Sequence, residues 1–288
     1  MRYEKNFKNL EKVLVFFRIC ANIGLVLIRN NPNYIFYRKR WIYFKEANSV
    51  ARRHINTTKY EIIRTGTRLF LEKGYSATTP KLICDELDIS TGNLTYYFPT
   101  KEHLLAVLAE MLCKFQGKTL QSVVKEEGAS SLLAVCLEMA VIATISEMED
   151  KASDVFQAFY LSPMCLDVIR RNDTKRAKYI YSRFCPDWTE HQYIEAEILV
   201  SGIEYAVLTS TNELLPVEER LAGALNNMMT IFNVPEKTRQ EKIEKILAMD
   251  YRAIGKQTIA QFKQFVEESN EHMFEELLNN AEHHATHN

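Results

Sequence analysis

The sequence is poor in the residues that punctuate β-rich folds: its 288 residues include only nine glycines and seven prolines. Many short strands need far more turn chemistry than that, so long helices are favoured. Cysteine is also sparse. Cys20, Cys84, Cys113, Cys136, Cys165 and Cys185 are scattered, with no C-x-x-C pair and no Cys/His ligand spacing. That pattern excludes a zinc-finger or disulfide framework and predicts buried free thiols in a reducing compartment. No Gly-rich phosphate loop, G-x-S-x-G, H-E-x-x-H or compact His/Asp/Glu cluster occurs. An enzyme is therefore not expected, and neither is a cofactor or a metal.

Long hydrophobic runs are missing as well. The most apolar stretch, Val13 to Ile28, is interrupted by Arg18 and Asn22. It falls short of the roughly 20 apolar residues of a membrane-spanning helix. No small-residue cleavage site follows it, as would follow a signal segment. A cytoplasmic protein is expected and a membrane partner is not, although the basic, aromatic run "NPNYIFYRKRWIYFK" keeps a membrane-associated interaction protein as the alternative. No methionine stands between Met1 and Met111. Residues 1–56 read as an N-terminal extension, with 1–49 either an accessory arm or an upstream misreading.

Charge is distributed unevenly. Residues 1–118 hold 20 Lys/Arg against 10 Asp/Glu, while the remainder holds 16 against 27. A basic front suits a polyanionic partner, and an acidic back does not.

What is present is dense helical punctuation from Thr57 onward. Thr58 and Glu61 match a capping box. Ile62, Gly66, Leu69 and Phe70 repeat at helical spacing, and Lys73-Gly74 supplies a stop, which predicts a helix over 59–73. Thr79-Pro80 starts a second helix, with Leu82, Ile83 and Leu87 inward and its end near Asp88. Ser90 caps a third, with Ile89 and Leu94 forming a hydrophobic staple. Pro99 ends it, and Thr100 caps a longer helix striped by Leu104, Leu108, Leu112 and Phe115. Residues 80–98 thus read as helix, tight turn, short helix.

The short helix, within "STGNLTYYF", has an unusual outward face. With Leu94 and Phe98 turned inward, Gly92, Asn93, Thr95 and Tyr96 fall on the opposite half and Thr91 and Tyr97 on the flanks. No Lys, Arg or Glu occupies that face. Gly92 costs roughly 1 kcal/mol relative to alanine inside a helix, and its missing side chain helps only where something approaches closely. A DNA groove fits. Ser90, Thr91 and the helix-start N–H groups can meet phosphates, Asn93 and Thr95 can reach base edges, and Tyr96 and Tyr97 can bond phosphates. Lys101 adds a charge at the next helix start.

Residues 59–112 resemble the DNA-binding domain of the TetR family of bacterial repressors. The resemblance rests on Phe70, Gly74, Thr78-Thr79, Ile89-Ser90, Gly92, Leu94, Phe98 and Thr100-Lys101-Glu102. It adds Thr78 and Thr79 to the DNA-contacting set. The sequence departs from the family pattern at Cys84 (usually alanine), Asp88 (commonly glycine) and Thr95 (commonly tyrosine). The implied fold is all-α. A helix-turn-helix domain spans 57–104, a larger helical ligand-binding and dimerisation domain 105–235, and a C-terminal helical extension and tail 236–288. The implied function is a ligand-responsive homodimeric regulator, a repressor by family frequency and an activator as the alternative, that binds a double-stranded operator and is released by a small-molecule inducer.

Beyond the helix-turn-helix the periodicity predicts helices over 101–127, 130–148, 151–161, a broken stretch 163–184, 189–211, 217–232 and one long helix 236–280. The resemblance places the dimer interface on 194–208 and 217–232, where Ser201-Gly202 permits close packing. It also makes the aromatic and Met-rich middle, Phe156, Phe159, Tyr160, Met164, Tyr179, Phe184 and Trp188, the lining of an inducer pocket. The tail histidines His283, His284 and His287 read as solvated rather than as metal ligands.

Overall fold

The computed structural model describes residues 58–126, 130–148, 151–210, 213, 215–269 and 272–274. From Thr58 onward the chain forms one unit. The expectations for residues 1–56, Cys20 and the tail histidines lie outside the described residues. Within them all regular structure is helical, the expected all-α class.

Helix α1 spans 58–73. Its predicted stripe is inside: Ile62, Leu69 and Phe70 have no solvent exposure. A Cβ at Gly66 would sit 3.0 Å from a methyl of Leu104, so the missing side chain is where the fourth helix crosses. Gly74 ends α1 at φ +89, a conformation that suits glycine, and its N–H donates to the Phe70 carbonyl at 2.9 Å. Helix α2, Pro80–Leu87, starts where the Thr79 hydroxyl accepts from the Leu82 N–H at 3.1 Å. It ends at Asp88, whose left-handed backbone (φ 53, ψ 44) turns the chain without a glycine. Ser90 then caps α3, Thr91–Tyr97, by accepting from the Asn93 N–H at 3.1 Å. The extended Phe98 before Pro99 closes it.

Helix α4, Lys101–Glu126, leaves this three-helix head and runs into the body. Leu104, Leu105 and Leu108 are buried on the head side. Helix α5, Ser131–Ser146, is apolar around its whole circumference and forms the body's centre. Around it stand α6, Lys151–Leu161; α7, Pro163–Tyr181; α8, Glu190–Thr209; α9, Val217–Ile231; α10, Glu236–Leu247; and α11, Tyr251–Glu267. Helix α11 packs closely on α5: a Cβ at Gly255 would lie 2.5–2.9 Å from the Thr144 side chain.

Two sequence expectations are corrected. The stretch 163–184, predicted to be broken, holds the continuous α7. Ser162 caps it, and Pro163 sits at the first helical position, where a missing N–H does no harm. The long helix predicted over 236–280 is instead α10 and α11, separated at Ala248–Asp250. The Asp250 carboxylate accepts from the Ala253 N–H at 3.1 Å and so starts a new helix mid-run. Cys84, Cys113, Cys136, Cys165 and Cys185 are free and buried, as expected.

Candidate nucleic-acid interface and internal cavity

The outward face of α3 is built by two anchors. Leu94 and Phe98 are buried in the head, with Ile83 and Cys84 of α2 beneath them. That orientation leaves Ser90, Thr91, Gly92, Thr95 and Tyr96 exposed, and Tyr96 retains 75% of its surface. Asn93 and Tyr97 are half-buried, at the margins of the face. The Tyr97 ring meets the Tyr96 ring edge-on at 4.9 Å, which braces both. The Thr95 hydroxyl donates to the Thr91 carbonyl at 3.0 Å and keeps acceptor capacity. A Cβ at Gly92 would meet only the Ser90 Oγ, at 3.8 Å, so nothing within the protein requires glycine there.

Two residues assigned to the DNA face lie elsewhere. Thr78 is fully buried, and its hydroxyl is shared between the Gly74 carbonyl at 2.7 Å and the Leu69 carbonyl at 3.1 Å. It locks the turn after α1. Lys101 points back rather than out: its Nζ donates to the Tyr75 carbonyl at 2.8 Å and lies 3.9 Å from that ring's centroid. Burial lowers its pKa accordingly. Thr79 is exposed, but its side chain caps α2.

The head is fastened to the body through the same turn. The Asp154 carboxylate of α6 accepts from the Ser76 N–H at 2.7 Å and the Ser76 hydroxyl at 2.6 Å.

Within the next two turns of α6, Phe156, Phe159 and Tyr160 line a body cavity of about 100 Å³. At roughly 10–15 Å³ per water on this measure, it has room for several waters or a small organic molecule. Of the seven predicted pocket residues, these three are placed together. Met164 and Tyr179 are exposed on the surface. Phe184 lies under the Arg183 guanidinium, 4.5 Å away. Trp188 packs on Phe232 at 5.8 Å, one layer behind the lining.

The sequence reading missed the polar lining: Glu138 from α5, Asp173 and Arg176 from α7, and Glu197 and Glu204 from α8. Arg176 Nη2 donates to both Glu138 carboxylate oxygens at 2.5 Å, and Nη1 donates to Asp173 Oδ1 at 3.0 Å. Burial works against the guanidinium charge, but the two carboxylates outweigh it and hold Arg176 ionised. Burial raises the pKa of both carboxylates in turn, against the pull of Arg176. The Tyr160 hydroxyl donates to Glu204 Oε2 at 3.0 Å. Burial, with repulsion from Asp173, pushes Glu204 up to about 8. Glu197 is 6% exposed and makes no hydrogen bond or ion pair. Burial, then Asp173 and Glu204, push it up to about 9. The Tyr181 hydroxyl, also on the lining, has no partner either.

Comparison with known proteins agrees with the head's geometry. Residues 62–108 match the family model described as bacterial regulatory proteins, tetR family. An uncharacterized HTH-type transcriptional regulator of Bacillus subtilis (strain 168), YuxN, is 36% identical over 83 residues, 28% of each chain. A second from the same organism, YerO, is 43% identical over 56 residues, 19% of each chain. The chain thus spans under a third of the length of the curated relatives it matches. A crystal structure of a gamma-butyrolactone receptor (ArpA-like protein) aligns over 73% of this chain and 98% of its own, at 18% identity and a TM-score of 0.36. The head, residues 62–108, is thus similar to the DNA-binding domain of bacterial regulatory proteins of the tetR family.

Proposed function

We propose that the protein is a homodimeric transcriptional regulator, a repressor, that binds operator DNA through α3 and is released by a small molecule in the body cavity. The observation that carries this is the outward face of α3: small, polar and uncharged, with a glycine that the protein's own packing does not require. Close approach of a duplex wall explains that face, with Ser90, Thr91 and Tyr96 toward phosphates and Asn93 and Thr95 toward base edges.

A single short helix reads few base pairs, and a second head reading a half-site about one helical turn away multiplies affinity. The surface for a second copy is the outer side of α8 and α9. Ile198, Leu199, Gly202 and Ala206 are exposed on α8, and Gly223, Asn227 and Thr230 on α9. Added Cβ atoms at Gly202 and Gly223 would meet nothing within 4 Å. Large apolar side chains beside small residues suit the close crossing of helices from two copies. The inner side of α8 carries Glu197 and Glu204, so one helix serves both the cavity and this surface.

The test is a gel shift on genomic fragments over a salt series. Sequence-selective binding whose affinity falls steeply with salt is expected, and a flat salt dependence or no selectivity refutes the reading. Gly92→Leu separates obstruction from unfolding. The added side chain has open space and improves helix propensity, so the variant folds and loses operator binding.

A further inference from the structure

We infer that the cavity takes a small organic cation, an amine or quaternary ammonium on an apolar skeleton, with its charge against Glu197 and Glu204. The inference deepens the ligand-responsive reading above, but the binding it describes stands apart from any effect on DNA.

Four carboxyl groups face one guanidinium in this cavity. Arg176 is already committed to Glu138 and Asp173. Glu204 has only a tyrosine hydroxyl, and Glu197 has nothing. From the other elements packed on α8, α6 brings Tyr160 and α9 brings Met228 to the lining. Arg170 of α7 reaches α8 at Ser201, where its Nε donates to the hydroxyl at 3.0 Å, outside the lining. Arg220 of α9 bonds the Val207 and Ser210 carbonyls at the far end of α8. Arg176 is the described cation that acts on Glu197, and its pull is outweighed by burial, Asp173 and Glu204.

A buried carboxyl without a partner destabilises the empty protein, and a glutamine or leucine would serve packing better. Glu197 and the Tyr181 hydroxyl are both more than nine-tenths buried, unpartnered and on the wall of the same space. Apart from Gln116 and Thr258, the rest of the wall is aromatic and aliphatic, including Phe156, Phe159 and Phe232. Ring faces attract an organic cation, and an apolar wall disfavours a hydrated metal ion. An anion would meet the carboxyl surplus, and a neutral hydrocarbon would leave Glu197 as unsatisfied as it is in the empty cavity.

The exchange balances without a further reactant. In the empty protein Glu197 holds a proton, since burial and its acidic neighbours push its pKa up to about 9. When a quaternary ammonium enters, the carboxylic acid gives that proton to solvent and the carboxylate remains opposite the ligand's charge. Binding thus releases about one proton, and affinity rises about tenfold per pH unit from neutral pH toward pH 8.

The experiment uses the full chain without DNA. Tetramethylammonium, benzyltrimethylammonium and tetraethylammonium are compared with the neutral carbon isosteres neopentane and neopentylbenzene by thermal shift and calorimetry, the latter in buffers of different ionisation enthalpy. The expected result is saturable binding of at least one cation, no binding of its isostere, and release of about one proton. Glu197→Gln retains the fold and shows at least tenfold weaker binding without the pH dependence. Equal or tighter binding of a neutral isostere, cation binding without proton release, unchanged binding in Glu197→Gln, or no shift with any cation up to about 10 mM overturns the inference. Adding the bound cation to the gel shift then separates the two readings. Binding without operator release refutes the inducer role alone, and selective DNA binding with no cation bound refutes the cation alone.

Discussion

Replacing Glu197 with glutamine is expected to stabilise the unliganded protein, and the size of the gain follows from the carboxyl's surroundings. In the unfolded chain the group titrates near its ordinary 4.5, and in the folded body it is pushed up to about 9. Between those values the native state holds a proton that the unfolded state has lost, so stability falls as pH rises. At pH 7 the gap from 4.5 is 2.5 pH units, which at 1.36 kcal/mol each is a cost of about 3 kcal/mol. Glutamine has the same shape and no proton to lose. Glu197→Gln should therefore gain about 2–3 kcal/mol at pH 7 and under about 1 kcal/mol at pH 5. The slope of stability against pH should be shallower by about 1.4 kcal/mol per unit across that range, with the remainder set by Glu204. Urea unfolding at fixed protein concentration, repeated from pH 5 to 9, reads both quantities. Parallel profiles for the two proteins, or a variant less stable than wild type at pH 8, would refute the claim that Glu197 is buried without a counter-charge.

Gly255→Ala should destabilise by about 1–3 kcal/mol through overpacking on Thr144. Thr144→Ala in the same chain should recover part of the loss, measured as a double-mutant cycle by thermal unfolding. Asp88→Gly relieves a left-handed residue on the surface and should raise stability by about 0.5–1 kcal/mol without changing operator affinity, read from denaturation midpoints and gel shifts. Asp154→Ala removes both acceptors of Ser76. Hydrogen exchange of the 74–77 turn should accelerate, with stability lower by about 1–2 kcal/mol, whereas unchanged exchange would show that the fastening is idle.

The head was legible because its signals are local. Thr79, Pro80 and Ser90 act within one helical turn of themselves, and Gly74 needs only its own backbone angle. The outward face of α3 followed from Leu94 and Phe98 alone. Thr78 and Lys101 were misplaced because their partners, the Leu69 and Tyr75 carbonyls, are backbone groups that no side-chain pattern displays. The acidic lining was hidden for another reason. Glu138, Asp173, Arg176, Glu197 and Glu204 come from three helices spread over much of the body, so no local spacing shows that they meet. Glu197 did carry a faint signal, standing in the apolar run "IEAEILV" on a helix with little room for an outward polar face. The break between α10 and α11 was missed because Asp250 caps from within an otherwise continuous pattern, without glycine or proline to announce it.

Helix α4 has one end in each part of the molecule. Lys101 at its start is bonded to the turn after α1, and Leu112, Phe115 and Gln116 are on the cavity wall. At 1.5 Å per residue these points are about 21 Å apart. A tilt of about 5° pivoting at Phe115 would carry the Lys101 end, and the helix-turn-helix with it, by about 2 Å. In a two-fold pair both heads would swing, so the lever doubles a small rearrangement at the wall into about 4 Å between recognition helices if the swings oppose, a sizeable fraction of the 10 Å or so separating one base-pair triplet from the next.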